Sequence, residues 1–473
     1  MKHLQAKCYV LHLVLFFSAV PLFGQNKELN YEMSSSVGFS SDTTLPFWLL
    51  SNRYGTVPDS DHILLNTNVY SDFNKPANFF DFSYKASVTG YLAEENKLLV
   101  NELYLRLRLQ DFFVDIGAKN DAVVWDGLSS SNGNIVKSIN ARAMPGFNLK
   151  TNDYLTLPFA KKWLRIKGNF AHYFMNDTRA VDGAYLHHKS LFIKSKLSPK
   201  FEVIAGLDHY AQWGGTSEEF GKQPSSFSDY LKIIVGAAGG ETATGGDQNN
   251  ALGNHLGAYL LQVSYYEDKV NLNFYYSHPF EDRSGREMKN WMDGLYGLFV
   301  DFKKDKAIVT QLLGEFTYTK HMSGSRHLEP SDDGNFGRGK DDYFNNSLYT
   351  SGWTYFGKTI GSPYFTTSPV DENGITHGVI QGDNRFMAFN IGAKGIIKSI
   401  PYKAMLSHTT YYGWFENEYD PYPVQISGLL ELILPQSILN LPFEISTSMS
   451  FDTGTYRPVN FGAFLSLRKT GIF

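Results

Sequence analysis

The chain has 473 residues, a formal net charge of -4 and a mean hydropathy of -0.27, too polar for a bundle of membrane helices and without the basic surplus of a nucleic-acid binder. Aromatic residues reach 15%, with Tyr 29 and Phe 36. The one cysteine, Cys8, lies in the N-terminal segment, so the rest of the chain has no disulfide, thiolate metal site or cysteine nucleophile.

The sequence opens MKHLQAKCYVLHLVLFFSAVPLFGQ. Lys2 and Lys7 precede an apolar run, Tyr9 to Val20, and the small Gly24 precedes Gln25. This is the pattern of a secretory signal peptide over residues 1–24. The run is shorter than the roughly 20 residues of a spanning helix, and no later stretch is apolar enough to be one.

From there the chain alternates in period 2. In one segment Phe80, Phe82, Tyr84, Ala86 and Val88 oppose Asp81, Ser83, Lys85, Ser87 and Thr89. In another, Leu441, Phe443, Ile445, Thr447, Met449 and Phe451 oppose Glu444, Ser446, Ser448, Ser450 and Asp452. About 18 such strands are predicted. They fall near 28–40, 62–73, 80–92, 98–109, 112–118, 139–150, 162–174, 185–197, 201–213, 256–267, 270–279, 293–303, 306–320, 384–398, 401–416, 424–434, 438–452 and 459–473. Many exceed the usual 5 or 6 residues of globular strands and suit a tilted bilayer crossing of about 9 to 11. Short helices are expected within 226–240 and 283–294, and an exposed polar loop over 327–347.

The links alternate too. Gln110-Asp111, SPK, EDK, KKD and PQS are short, whereas 41–61, 119–138, 214–255 and 321–383 are long. Short periplasmic turns alternating with long extracellular loops are the layout of an outer-membrane barrel with an even strand number. The link 151–161 is long where a short one belongs. Residues 25–473 are therefore read as one all-β transmembrane antiparallel barrel in the outer membrane, its wall against lipid. The chain ends FGAFLSLRKTGIF, and its last residue shares parity with Phe461, Ala463, Leu465 and Leu467. A closed barrel pairs its last strand with its first, which puts Phe473 in the periplasmic aromatic girdle. Outer-membrane proteins commonly end this way, and that likeness implies recognition of Phe473 by the barrel-insertion machinery.

No catalytic constellation is found: there is no GxSxG elbow, HExxH or P-loop. His187 and His188 fall on opposite strand faces, and Asp208 and Gln212 share a face that His209 does not. No metal or cofactor is expected, and no nucleic-acid partner. By parity Glu102, Arg106, Arg108, Arg165, Lys167, Asp208, Gln212, Gln311, Glu315 and Glu431 point into the lumen. Both signs suit either an open channel or a plugged interior with paired charges. Trp213, Trp291, Trp353 and Tyr355 fall near the outer loops and are the candidates for stacking on sugar rings; the other reading is the interfacial aromatic belt.

Seven stretches, in order, resemble the Wzi-type capsule assembly proteins in the form common among Bacteroidetes. They are LPFWLLSNRYG (45–55), VNELYLRL (100–107), SINARAMPG (138–146), LHHKSLFIK (186–194), GLDHYAQWGG (206–215), GNHLGAY (253–259) and YYSHPFEDRSG (275–285). The resemblance implies an 18-stranded outer-membrane barrel obstructed by short helical and loop plug elements. It also implies a non-enzymatic role: binding exported capsular or extracellular polysaccharide and attaching it to the cell surface. The loop 321–383 lies outside the resemblance, and 151–161 is expected as a periplasmic plug element. The alternative is a diffusion porin or uptake channel.

Overall fold

The first and last described strands lie in one ladder. In a computed structural model, which describes residues 27–473 apart from 75–78, 161–162, 241–242, 245–246, 249–250, 326–340, 435 and 437–439, the first strand pairs with the last. The expected signal segment 1–24 lies outside the described residues.

The wall has eighteen long antiparallel strands. In chain order they are β1 (Asn30–Ser40), β2 (His62–Ser71), β3 (Phe80–Leu92), β4 (Lys97–Leu109), β5 (Phe112–Ala118) and β6 (Pro145–Thr151). Then come β7 (Leu164–Phe174), β8 (Tyr185–Lys196), β9 (Phe201–Trp213), β10 (Asn254–Tyr266), β11 (Asn271–Phe280) and β12 (Gly294–Asp301). The last six are β13 (Gln311–Tyr318), β14 (Phe386–Ile397), β15 (Ile400–Tyr411), β16 (Val424–Leu434), β17 (Glu444–Gly454) and β18 (Asn460–Ile472). Each pairs with its chain neighbours, and β1–β18 closes the ring from Asn30↔Ile472 to Ser40↔Gly462. Phe473 extends that ladder, donating its N–H to the Leu29 carbonyl at 2.9 Å, with its ring 5.0 Å from Tyr31. Period-2 alternation puts Met33, Val37 and Phe39 of β1 and Phe461, Leu465 and Leu467 of β18 on the outside, exposed. Such residues form the apolar band a bilayer requires.

The predicted strands correspond to the wall, with differences at their bounds: the strand expected over 306–320 starts only at Gln311, and that over 438–452 only at Glu444, which leaves Leu441 and Phe443 outside it. The segment 139–150 joins it only from Pro145; Ile139 and Ala141 are buried inside the ring, because 138–144 belongs to an inward loop. In 401–416 the wall strand stops at Tyr411, and Gly413–Trp414 forms a separate hairpin with Asn417–Glu418. The link 151–161 is not a plug element across the lumen. Leu155 and Thr156 pair with Ile166 and Arg165 and so extend the wall beyond β6.

The long loops do not stand out in solvent. Residues 41–61, which carry the one-turn helix α1 (Phe47–Leu50), 119–144 and the described parts of 319–385 turn back into the ring and bond to one another. Trp353 donates its indole N–H to the Val136 carbonyl at 2.6 Å, and Ser362 N–H reaches the Ile135 carbonyl at 2.9 Å. Tyr54 N–H reaches the Ile139 carbonyl at 2.8 Å. Leu49, Leu128, Ile135, Val136, Trp353 and Tyr355 join one hydrophobic cluster with wall residues Leu256, Leu295, Leu313 and Phe386. Part of the expected exposed loop 327–347 lies outside the described residues. Within the rest, Tyr343 and Phe344 are buried, because this segment has the aromatic surface to build a core. Trp353→Ala would leave a large void in that cluster at a cost of about 3–5 kcal/mol. The expected outcome is a lower temperature for loss of the compact, heat-modifiable band on semi-native gels.

Candidate functional site

Glu315 on β13 fixes the plug to the wall. Its carboxylate accepts from Ser130 N–H at 2.7 Å, Ser129 Oγ at 2.5 Å, Asn390 Nδ2 at 3.3 Å and the Tyr275 hydroxyl. Tyr275 can reach it because the facing residue on β12 is Gly297, where any Cβ would collide with the Tyr275 ring. Trp125 of the plug stacks on the same ring at 4.8 Å. Further clamps run from Gln212 Nε2 to the Gly352 carbonyl at 3.0 Å and from Phe47 N–H to Asp452 Oδ2 at 2.9 Å.

Six of the eight charges predicted to face the lumen are paired there; Lys167 has no carboxylate within ion-pair distance among the described residues, and Glu315 is held by neutral donors. Asp81 takes Lys27 at 2.6 Å and Arg108 at 3.1 Å, and Glu102 takes Lys85 at 2.6 Å. Arg106 bonds to Asp115 through both nitrogens, joined by Lys150 at 2.9 Å. Glu202 bridges Lys194 at 2.9 Å and Arg165 at 3.7 Å, and Glu431 bridges Arg53 at 2.6 Å and Lys403. Each cation shares a carboxylate with a neighbouring strand or the plug, which offsets the cost of removing it from water.

The four aromatic candidates part company. Trp353 and Tyr355 are sealed in the plug at 0% and 1% exposure, so neither presents a face to a ligand. Trp213 faces outward from β9 but is covered. The long loop 214–253 folds down the outside of the wall, where its helix α2 (Phe227–Val235) lies over β7–β9. Ser226 caps that helix and Gly236, with φ 66°, ends it. Tyr230 stacks on Trp213 at 5.1 Å and approaches His187 Nδ1 at 3.2 Å, and Lys189 Nζ donates to the Ile234 carbonyl. Phe227, Leu231 and Val235 form its exposed stripe. Trp291 alone is open, at 64% exposure, in the loop between β11 and β12. That loop carries the expected turn of helix, over Arg283–Arg286. Sequence reasoning missed a second group at the rim, in which Tyr422 and Glu418 are exposed and Lys320 and Tyr412 half-buried. Lys320 lies 3.8 Å over Tyr412, which meets Tyr422 at 4.8 Å, and Tyr422 donates to Glu418 at 2.7 Å. Its members come from two loops, so no local motif announces it.

The loops at this end are latched by a buried acid. Asp293 accepts from Tyr343 at 2.6 Å, Met322 N–H at 2.7 Å and His321 N–H at 3.0 Å. Burial outweighs these bonds and pushes its carboxyl up to about 7. Burial and the nearby Asp282 likewise raise Asp341 to about 6. Among the described residues no three His, Cys, Asp or Glu side chains are arranged to hold a metal ion.

A closed wall, an apolar outer band and a loop-filled interior define an outer-membrane β-barrel with an internal plug. The chain belongs to the Wzi capsule assembly protein family, whose model matches residues 50–380. Among solved structures it is similar to one from Escherichia coli, described as Wzi, an outer membrane protein involved in group 1 capsule assembly and a carbohydrate-binding β-barrel. That likeness has 12% identity and a TM-score of 0.56, over 92% of this chain and 83% of that one. OccK3 (OpdO) of Pseudomonas aeruginosa follows with 8% identity and a TM-score of 0.49, over 97% and 99%. OccAB4 of Acinetobacter baumannii has 10% identity and a TM-score of 0.46, over 95% and 99%. A comparison with curated proteins gives no match.

Glu315→Ala would strand four buried donors and loosen the plug by about 3 kcal/mol. In planar bilayers the expected outcome is open-channel events, against a quiet wild-type protein. The Asp293 latch should be pH dependent. Its folded carboxyl holds a proton up to about 7 and an ordinary one only to 3.8, so the latch loses stability as pH rises through that window. Amides of His321 and Met322 should exchange more slowly at pH 5.5 than at pH 8 after correction for intrinsic rate, and Asp293→Asn should flatten the difference.

Proposed function

We propose that this protein binds exported capsular or other extracellular polysaccharide and attaches it to the cell surface, without covalent chemistry. The observation that carries the reading is the blocked lumen: three long loops fold into the ring at its long-loop end and bond to its wall, as an anchor tolerates and a diffusion channel does not. Family membership supports it, and the E. coli relative of the same fold is described as carbohydrate binding. In this reading residues 1–24 direct export, and Phe473 serves the barrel-insertion machinery.

On the outer face, contact falls to the rim. Trp291 supplies an open aromatic face, and the Lys320, Tyr412 and Tyr422 group adds a second platform beside a hydrogen-bonding carboxylate. Trp353 and Tyr355 belong to the plug core, and Trp213 holds the helix of the 214–253 loop against the wall. The test is the division of surface polysaccharide between cells and medium. A deletion strain should make unchanged total polymer but release it, and wild-type protein should restore attachment. Trp291→Ala with Tyr422→Ala should restore only part of it, at normal barrel abundance. Unchanged attachment in the deletion strain would refute the proposal for that polymer.

A further inference from the structure

Beneath the plug the lumen is not full. A cavity of about 300 Å³ lies between the loop 119–144 and the inner faces of β6–β9. Toward the long-loop end it stops on buried Met144, Leu186 and Tyr210. Toward the short-turn end its lining reaches Lys150, Lys167 and Phe192, near the last residues of β6 and β8 and the first of β7. Its mouth therefore faces the periplasmic side.

The lining is polar and unbalanced in charge. It carries Lys119, Lys137, Arg142, Lys150 and Lys167 against Asp121 and Asp208, five cations to two carboxylates. Both acids are engaged. Asp121 pairs with Lys137 at 2.8 Å; Asp208 takes His188 Nε2 at 3.1 Å and Asn134 Nδ2 at 2.9 Å. His188 Nδ1 meets Asn169 Nδ2 at 3.1 Å, which makes it the acceptor there and leaves Nε2–H to donate to Asp208. Lys150 is shared with Asp115 at 2.9 Å. Lys119 and Lys167 have no carboxylate within ion-pair distance among the described residues. The amide oxygens of Asn120 and Asn148 are buried with no partner. A second cavity in the lumen shows that such an excess is not general. There Lys304, Lys394 and Lys403 face Asp126, Asp305 and Glu431, three against three.

Lys119 donates to the Asn120 backbone carbonyl at 3.3 Å and Lys167 lies 5.7 Å over Tyr154, but ammonium groups without a carboxylate ask for an anion, and unpartnered amide oxygens ask for hydroxyl donors. We propose that this cavity is a binding site for an anionic saccharide unit, a sugar ring bearing a carboxylate, offered from the periplasmic side. Lys119 and Lys167 receive the charge, and Asn120 and Asn148 accept from ring hydroxyls. The proposal rests on the polysaccharide reading above and adds a charge class and a direction of approach.

The test uses the full chain purified in detergent and a glucuronate-containing disaccharide, with cellobiose and inorganic phosphate as the comparison probes. The expected result is saturable binding of the uronate that weakens as salt rises, with little binding of cellobiose and weak competition by phosphate. Lys167→Gln should weaken binding at least tenfold and Lys167→Arg should restore most of it, both with unchanged heat-modifiability. Equal binding of cellobiose, full competition by phosphate, or no effect of Lys167→Gln would overturn the site. Direction is read with Ser190→Cys in a chain whose only natural cysteine is Cys8. A membrane-impermeant maleimide should label it only after the outer membrane is opened; labelling in intact cells would overturn the periplasmic mouth. If uronate binding fails while the deletion strain still sheds its polymer, the cavity assignment falls and the anchor reading stands.

Discussion

Everything in this molecule depends on the ladder between β1 and β18. In hydrocarbon an unpaired backbone N–H or carbonyl costs several kcal/mol, so a sheet crosses a membrane only when it has no edge. The register from Asn30↔Ile472 to Ser40↔Gly462 removes both edges at once. Closure also sets strand parity, which sorts Met33 and Val37 outward and Glu32 and Ser34 inward. A polar interior results, and its groups must find partners.

Outside the cavity lined by Lys119 and Lys167, that interior is satisfied in two ways. Toward the short-turn end, wall cations and carboxylates pair across neighbouring strands, as Arg106, Asp115 and Lys150 do. Toward the long-loop end, the wall groups bond to plug backbone instead, with Glu315 on Ser130 and Gln212 on Gly352. The plug therefore supplies both the apolar core and the partners for wall groups that would otherwise be unpaired. Such a plug differs from a lid, since its removal would expose a band of unpaired polar groups together with Leu256, Leu295 and Phe386.

The wall was legible in the sequence because one signal, period 2, is local and repeated. Strand number comes from counting those segments, the pairing of the last strand with the first from the need to leave no edge, and the inward face of residues such as Glu431 from parity. The plug was less legible. Residues 138–144 alternate like a strand, yet they leave the wall because Ser138 and Asn140 bond to Ile360 and Thr359, more than 200 positions away in the chain. Trp353 reads as a surface aromatic in a polar loop, and only the three-loop assembly shows it as core. The loop 214–253 reads as extracellular by topology, but Tyr230 and Ile233 bring it against the outer wall. The charge excess of the lumen cavity was hidden because Lys119 and Lys167 belong to different elements.

The plug's connectivity has a mechanical meaning. Each of its three loops leaves one wall strand and returns to the next, so it is tied to β1, β2, β5, β6, β13 and β14. Glu315, Gln212 and Asp452 add cross-links between those ties. A pull on the long-loop end would be shared among several strands and resisted by bonds loaded in shear, which must fail together. In the proposed role a hydrated polymer dragged by flow would apply such a tension, and a plug threaded into the wall at six points would divide it among six strands.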